Sequence, residues 1–180
     1  MEGTAINAKS SSILTINGGS SSIKFGLFEV GVPPQHLLCG EIDRIGQPQA
    51  RLRVTGSLTS AEISRSVKTP DHAAPAAVLI NHITQRGAQS AVAAVGHRVV
   101  HGGPKYWAPQ RVTAEMLKEL RTLSAFDPEH LPEEIRLIEA FGRQFPYVPQ
   151  GACFGTAFHH SLPLVARLLP LTRRSEAQGL

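Results

Sequence analysis

Apolar positions fall in short, extended runs over the first third of the chain and change to helical spacing beyond it. Ser12-Ile13-Leu14-Thr15-Ile16 is a β-branched run that predicts a buried strand. It stops at Asn17-Gly18-Gly19-Ser20-Ser21-Ser22, a dense turn signal, and resumes as a second strand from Ile23 to Phe28. Two strands joined by so short a polar turn form a hairpin rather than a strand-to-helix unit. Leu37 to Ile42 and Leu52 to Val54 read as a third and a fourth strand. The first part of the chain is therefore predicted to be a meander.

From Pro70 to about Arg86 the residues Ala77, Val78, Ile80 and Ile83 recur at helical spacing, with Asp71 as N-cap and Gly87 as the stop. Ala91 to Val95 predicts a strand that runs into Gly96-His97-Arg98-Val99-Val100-His101-Gly102-Gly103. Thr113 caps a second helix, Ala114 to Leu123. A third follows His130-Leu131-Pro132, with the proline in its first turn. Gly151 to Phe154 reads as another buried strand. The segment from Pro170 to Leu180 has no closing element, and a meander followed by an α/β pattern that stops in mid-connection reads as a fragment. The expected division is a polar leader over residues 1–11, an N-terminal lobe over 12–165, and over 166–180 a truncated connection toward a missing C-terminal lobe.

Composition narrows the classes. A 180-residue chain with 42% apolar residues can bury a sizeable core. Its net charge of +4 is spread thinly, with Arg51/Arg53 and Arg173/Arg174 as the largest clusters. That excludes a nucleic-acid footprint and suits small anions. Cys39 and Cys153 form no metal-ligand spacing, so a reducing, cytoplasmic setting is the expectation. No signal-peptide core and no apolar run near the ~18 residues of a membrane span are present, so no membrane partner is expected.

Four segments could carry chemistry. Small residues from Asn17 to Ser22 allow backbone N–H groups to converge on an anion, because Gly18 and Gly19 can take conformations closed to other residues. Ser20 and Ser22 add hydroxyl donors, the Asn17 amide can hold a metal-bound water or a phosphate oxygen, and Lys24 supplies a point charge. A plain polar hairpin turn is the alternative. In the second segment, strand alternation puts Arg98 and Val100 on one face and His97, Val99 and His101 on the other. A guanidinium beside a valine could grip a carboxylate and pack its alkyl tail, or serve a structural ion pair. The third is Asp127-Pro128-Glu129-His130-Leu131-Pro132, where a histidine held between prolines could donate to an oxyanion or simply cap the helix. The fourth, Phe154-Gly155-Thr156-Ala157-Phe158-His159-His160, invites a metal reading. Its adjacent histidines would point to opposite faces of a strand, and no third ligand has the spacing.

In order and spacing these segments resemble the acetate kinase (acetokinase) family over Ile13 to Pro163. Asn17 to Phe25 looks like its NAGSSSLKF signature with Gly18 in place of alanine. Gly96 to Gly103 looks like its second segment without a substitution, and Phe154 to His159 looks like FDTAFH. The resemblance implies a ribonuclease-H-like (actin-like ATPase) lobe, α/β, whose mixed sheet carries an N-terminal hairpin meander and flanking helices. It implies transfer of the γ-phosphoryl of ATP, with Mg²⁺, to a short-chain carboxylate. By position, Asn17 would place the metal, Ser20, Ser22 and Lys24 the phosphates, and Arg98 the carboxylate or transferring phosphoryl group. Val100 would line the alkyl pocket. His130 falls where the family has an active-site histidine, in its APLH segment.

Three departures accompany the likeness. Gly155 stands where FDTAFH carries an aspartate regarded as catalytic, which predicts severely impaired transfer. Glu129 and Leu131 flank His130 where the family has an apolar residue and asparagine. The family's YGFHG segment and C-terminal lobe, through which its members form homodimers, do not follow. Beside an acetate kinase, the readings are a butyrate or propionate kinase, the non-catalytic product of a split or decayed gene, and a freestanding anion-binding module.

Overall fold

The computed structural model describes residues 11–59, 61–69, 74–85, 92–157 and 162–167. Among them, one eight-stranded mixed sheet in the order β5-β4-β3-β2-β1-β6-β8-β7 organises the chain. β1 (Ser12–Gly18) and β2 (Ile23–Glu29) form the expected hairpin, with Asn17 opposite Lys24 and Gly18 opposite Ile23. β3 (Gln35–Asp43) and β4 (Arg51–Thr55) continue the meander and run longer than the apolar pattern indicated. β1 then pairs in parallel with β6 (Val92–Val99), and β6 in parallel with β8 (Gln150–Phe154).

Two strands escaped the sequence reading. β5 (Ile63–Ser66) is a polar edge strand, exposed along most of its length, with no apolar alternation to betray it. β7 (Gln110–Arg111) is two residues long and exposed. Backbone pairing at an edge needs no hydrophobic pattern, which is why both were invisible.

Three helices cover one face. α1 (Ala74–Gln85) precedes β6; its proposed cap Asp71, its stop Gly87 and the strand start Ala91 lie outside the described residues. α2 (Ala114–Leu123) begins as expected, the Thr113 hydroxyl accepting the Met116 N–H at 3.2 Å. α3 (Leu131–Gln144) has Pro132 in its first turn. A fourth short helix, α4, spans Leu164–Arg167. The covered face buries Leu14, Ile16, Leu27, Leu38, Ile42 and Val95 under Leu79, Ile83 and Phe141. A second cluster, Val99, Met116, Leu120, Leu131, Ile138 and Phe154, locks α2 and α3 to the carboxyl ends of β6 and β8.

α3 packs closely against the end of β1. A Cβ on Gly18 would stand 2.6 Å from Leu137 Cδ1, so the glycine admits the helix. The sheet's other face carries Thr15, Asn17, Lys24, Arg98 and Cys153, and there lies the candidate chemistry.

Candidate functional site

Register does the first assembly. Lys24 pairs with Asn17, Asn17 with Arg98, and Arg98 with Cys153, so these side chains form one row across β2, β1, β6 and β8. Directly paired residues project from the same face of a sheet. Residues 81 positions apart in sequence thus become neighbours because β1 and β6 are parallel and in register. The row borders a pocket of about 390 Å³ on the open face. It sits at the carboxyl ends of the parallel strands, where α/β sheets bind ligands. Among the described residues neither Lys24 nor Arg98 forms an ion pair, and the Asn17 amide has no side-chain partner. Two cations outside any ion pair, with an amide beside them, can receive an anion.

The turn beyond the row is tighter than its composition implied. Gly19 N–H donates to the Ser22 carbonyl at 2.8 Å, and Ile45 N–H, from the loop after β3, donates to the Ser21 carbonyl at 3.0 Å. Ser20 is exposed and Ser22 half-buried. The special glycine conformations expected at Gly18 and Gly19 are not used: positive φ occurs at Gly46, Gly56 and Gly103 instead. The hairpin keeps ordinary strand geometry up to Gly18, which serves close packing against α3 rather than a left-handed turn.

β6 sorts its side chains as alternation requires. Arg98 is on the open face, while His97 is buried against Phe141 and bonds to Gln150 at 2.6 Å. Burial pushes the His97 imidazole down to about 4, the Gln150 contact offsetting only part of that, so it is neutral at ordinary pH. Val100, half-buried just beyond the end of β6, packs against the second core cluster, and its N–H donates to the Glu134 carboxylate, 2.9 and 3.2 Å from the two oxygens.

Glu134 is the residue the sequence reading missed. It is 3% exposed on α3, and burial pushes its carboxyl up, opposed by the Val100 N–H and by the charges of Arg98 and His130. The signal was there: Glu134 interrupts the buried stripe Leu131, Ile135, Ile138 at a position where helical spacing predicts an apolar residue. It ties α3 to the segment that presents Arg98 and Val100.

His130 occupies the N-cap position of α3 and makes no side-chain cap bond, which removes the capping alternative. Its Nδ1 lies 2.9 Å from Asp127 Oδ1. That hydrogen bond, with the charges of Asp127, Glu134 and Glu129, raises the imidazole above 6.5.

At the end of β8, Gly155 N–H donates to the Val99 carbonyl at 2.8 Å. A Cβ there would lie 2.7 Å from the Val100 carbonyl oxygen and 3.3 Å from an Arg98 guanidinium nitrogen. The strand end is closed over the position where a side chain would stand. Beside it, the Thr156 hydroxyl is buried without a partner. His159 and His160 lie outside the described residues, and among the described residues no three His, Cys, Asp or Glu side chains converge on a metal site.

A mixed sheet with antiparallel β3-β2-β1 continued by parallel β6 and β8, with a polar row at its carboxyl ends, defines a ribonuclease-H-like lobe of the actin-like ATPase class. Solved structures agree. A propionate kinase from Francisella tularensis superposes with a TM-score of 0.82 at 27% identity, covering 94% of this chain and 43% of that one. The acetate kinase of Porphyromonas gingivalis gives 0.80 at 25% identity, with 94% and 43% coverage. The chain belongs to the acetokinase family, whose model matches residues 12–179. An acetate kinase of Rhodopseudomonas palustris is 40% identical over 172 residues, 93% of this chain and 43% of the relative. The acetate kinase of Bacillus subtilis is 38% identical over 157 residues, 85% of this chain and 39% of the relative. The chain thus spans about two-fifths of the length of these relatives.

Proposed function

We propose that this chain supplies one wall of the cleft of a short-chain carboxylate kinase, an enzyme that passes a phosphoryl group from ATP to acetate or a near homologue. The observation that carries the reading is the row Lys24–Asn17–Arg98 at the strand ends, beside the serine turn. Acetate and propionate kinases among its relatives support the substrate class.

Joining two anions is mainly a problem of placement and charge. Arg98 grips the carboxylate or the incoming phosphoryl oxygens by its fork, and Val100 packs the short alkyl group. Lys24 and the hydroxyls of Ser20 and Ser22 hold the phosphate side. The Asn17 amide would be this chain's contribution to a magnesium ion brought by the nucleotide, since among the described residues no three His, Cys, Asp or Glu side chains converge on a metal site. When bound, that ion neutralises phosphate charge. His130 donates to an oxygen of the reacting group.

Gly155 limits the chemistry, because no carboxylate projects from the end of β8. Transfer by this chain is accordingly impaired, and the same observation supports the second reading, a lobe that binds the anions without turning them over. The test is acyl-phosphate formation from ATP, Mg²⁺ and acetate, trapped with hydroxylamine, with a C-terminal lobe from a relative supplied. Trapped product that depends on both lobes is the expected result. No product, even with Gly155→Asp and a folded complex, sinks the kinase reading. Gly155→Asp needs a backbone shift at Val100, so its unfolding midpoint has to be measured alongside.

A further inference from the structure

The polypeptide just before α3 is unusually rich in carboxylates for a wall meant to meet anions. Asp127 and Glu129 flank Pro128, and Glu134 follows one turn into the helix. His130 is the base among them, its imidazole raised by the Asp127 hydrogen bond and the surrounding carboxylates, with Arg98 of β6 acting on Glu134 from the sheet. Asp127 holds the histidine at two levels. Its carboxylate oxygen is 2.9 Å from Nδ1, and its backbone carbonyl accepts the Leu131 N–H at 3.3 Å, while the His130 carbonyl accepts the Glu134 N–H at 3.0 Å. The Asp127 side chain is 17% exposed and that of His130 36%, so the bond is largely shielded while the ring still reaches solvent.

We propose that Asp127 is a positioning residue: it takes the Nδ1–H of His130, leaving Nε2 as the free nitrogen, and so makes His130 a cationic donor to a phosphoryl or carboxylate oxygen. A carboxylate on one imidazole nitrogen fixes the tautomer and favours the protonated ring. The groups that face His130, namely Asp127 and Glu129 from the connection and Glu134 from α3, all act in that direction. Without the imidazolium, Asp127 and Glu129 would repel the anion that Arg98 attracts. With it, the wall presents a third positive group beside Lys24 and Arg98. This inference rests on reading the site as an anion site.

The tautomer and titration of His130 can be read in the chain itself, by long-range ¹H–¹⁵N spectra of its histidines, with His130→Gln to assign the signal. The Nδ1–H tautomer and a midpoint above 6.5 are expected for the unaltered chain. Asp127→Asn should bring the midpoint down toward 6.5 and mix the tautomers, whereas Glu129→Gln should leave the tautomer as it is. An Nε2–H tautomer in the unaltered chain, or a His130 titration indifferent to Asp127→Asn, overturns the proposal without recourse to any variant's activity. Inorganic phosphate separates it from the reading on which it rests. Phosphate should move the Gly19 and Val100 amide signals and raise the His130 midpoint, less so in Asp127→Asn. Amide shifts without a response at His130 would leave the anion site standing and remove His130 and Asp127 from it. No response at either place removes the anion site itself.

Discussion

The two faces of the sheet treat polar side chains in opposite ways, and β6 shows both within three residues. On the covered face His97 is buried, bonded to Gln150 and packed on Phe141, and nearby Glu134 accepts the Val100 N–H. On the open face Arg98 stands between Asn17 and Cys153 in an aligned row without an ion pair among the described residues. Polar groups that are buried and satisfied stabilise the fold, because each would be costly if orphaned. Polar groups that are aligned, exposed and unpartnered contribute little to folding and keep their bonding capacity for a ligand. Exposure, not residue type, separates the two roles.

The comparison breaks most sharply at Arg98. Arg98→Ala in the two-lobe enzyme should cut acyl-phosphate formation by about 10²–10³-fold, the scale of losing a donor to a developing anion. The unfolding midpoint of the same variant should stay within about 0.5 kcal/mol of the unaltered chain. A destabilised Arg98→Ala with unchanged turnover would reverse the assignment of the two faces.

A smaller effect is expected from His97, and it is one of pH. Its folded value, about 4, lies below the 6.5 of the unfolded chain, so the unfolded state takes up the proton first as pH falls. His97 therefore withdraws no stability above pH 6.5 and up to about 3 kcal/mol by pH 4. Urea unfolding between pH 7 and 4, compared with His97→Gln, isolates that slope; parallel curves would mean that the imidazole is hydrated in the folded chain.

The smallest effect sharpens the covered face. Glu134→Ala leaves the Val100 N–H without its acceptor and should cost about 1–3 kcal/mol. Glu134→Gln keeps an acceptor and should recover much of that loss. Equal loss in both variants would mean that the charge of Glu134, rather than its acceptor, matters to the Arg98 segment.

The hairpin, α2 with its Thr113 cap, α3 and the existence of β8 were legible because each is a local pattern: alternation, helical spacing, a capping hydroxyl, a turn-rich break. β8, expected buried, is buried on one face only, with Cys153 exposed on the other. Strand periodicity set Arg98 opposite His97, and the structure keeps that; Val100 lies beyond the end of β6 and packs against the second core cluster, so the alternation does not extend to it. β5 and β7 were not legible, because an edge strand made of polar residues is defined by its neighbour and not by its own composition. Glu134 was overlooked for a related reason. A glutamate in an apolar stripe announces itself as an anomaly, but the Val100 N–H that explains it lies 34 residues earlier in the chain.

The sequence by itself determined the secondary elements, the family and the residue types available for anion chemistry, since those reside in short-range order. Tertiary structure alone decided that Lys24, Asn17 and Arg98 share one row, because that follows from the parallel register of β1 and β6. It also decided that His130 leans on Asp127 rather than on the helix end, and that the backbone closes over Gly155. Register and burial are properties of paired segments, and a linear pattern carries only half of each pair.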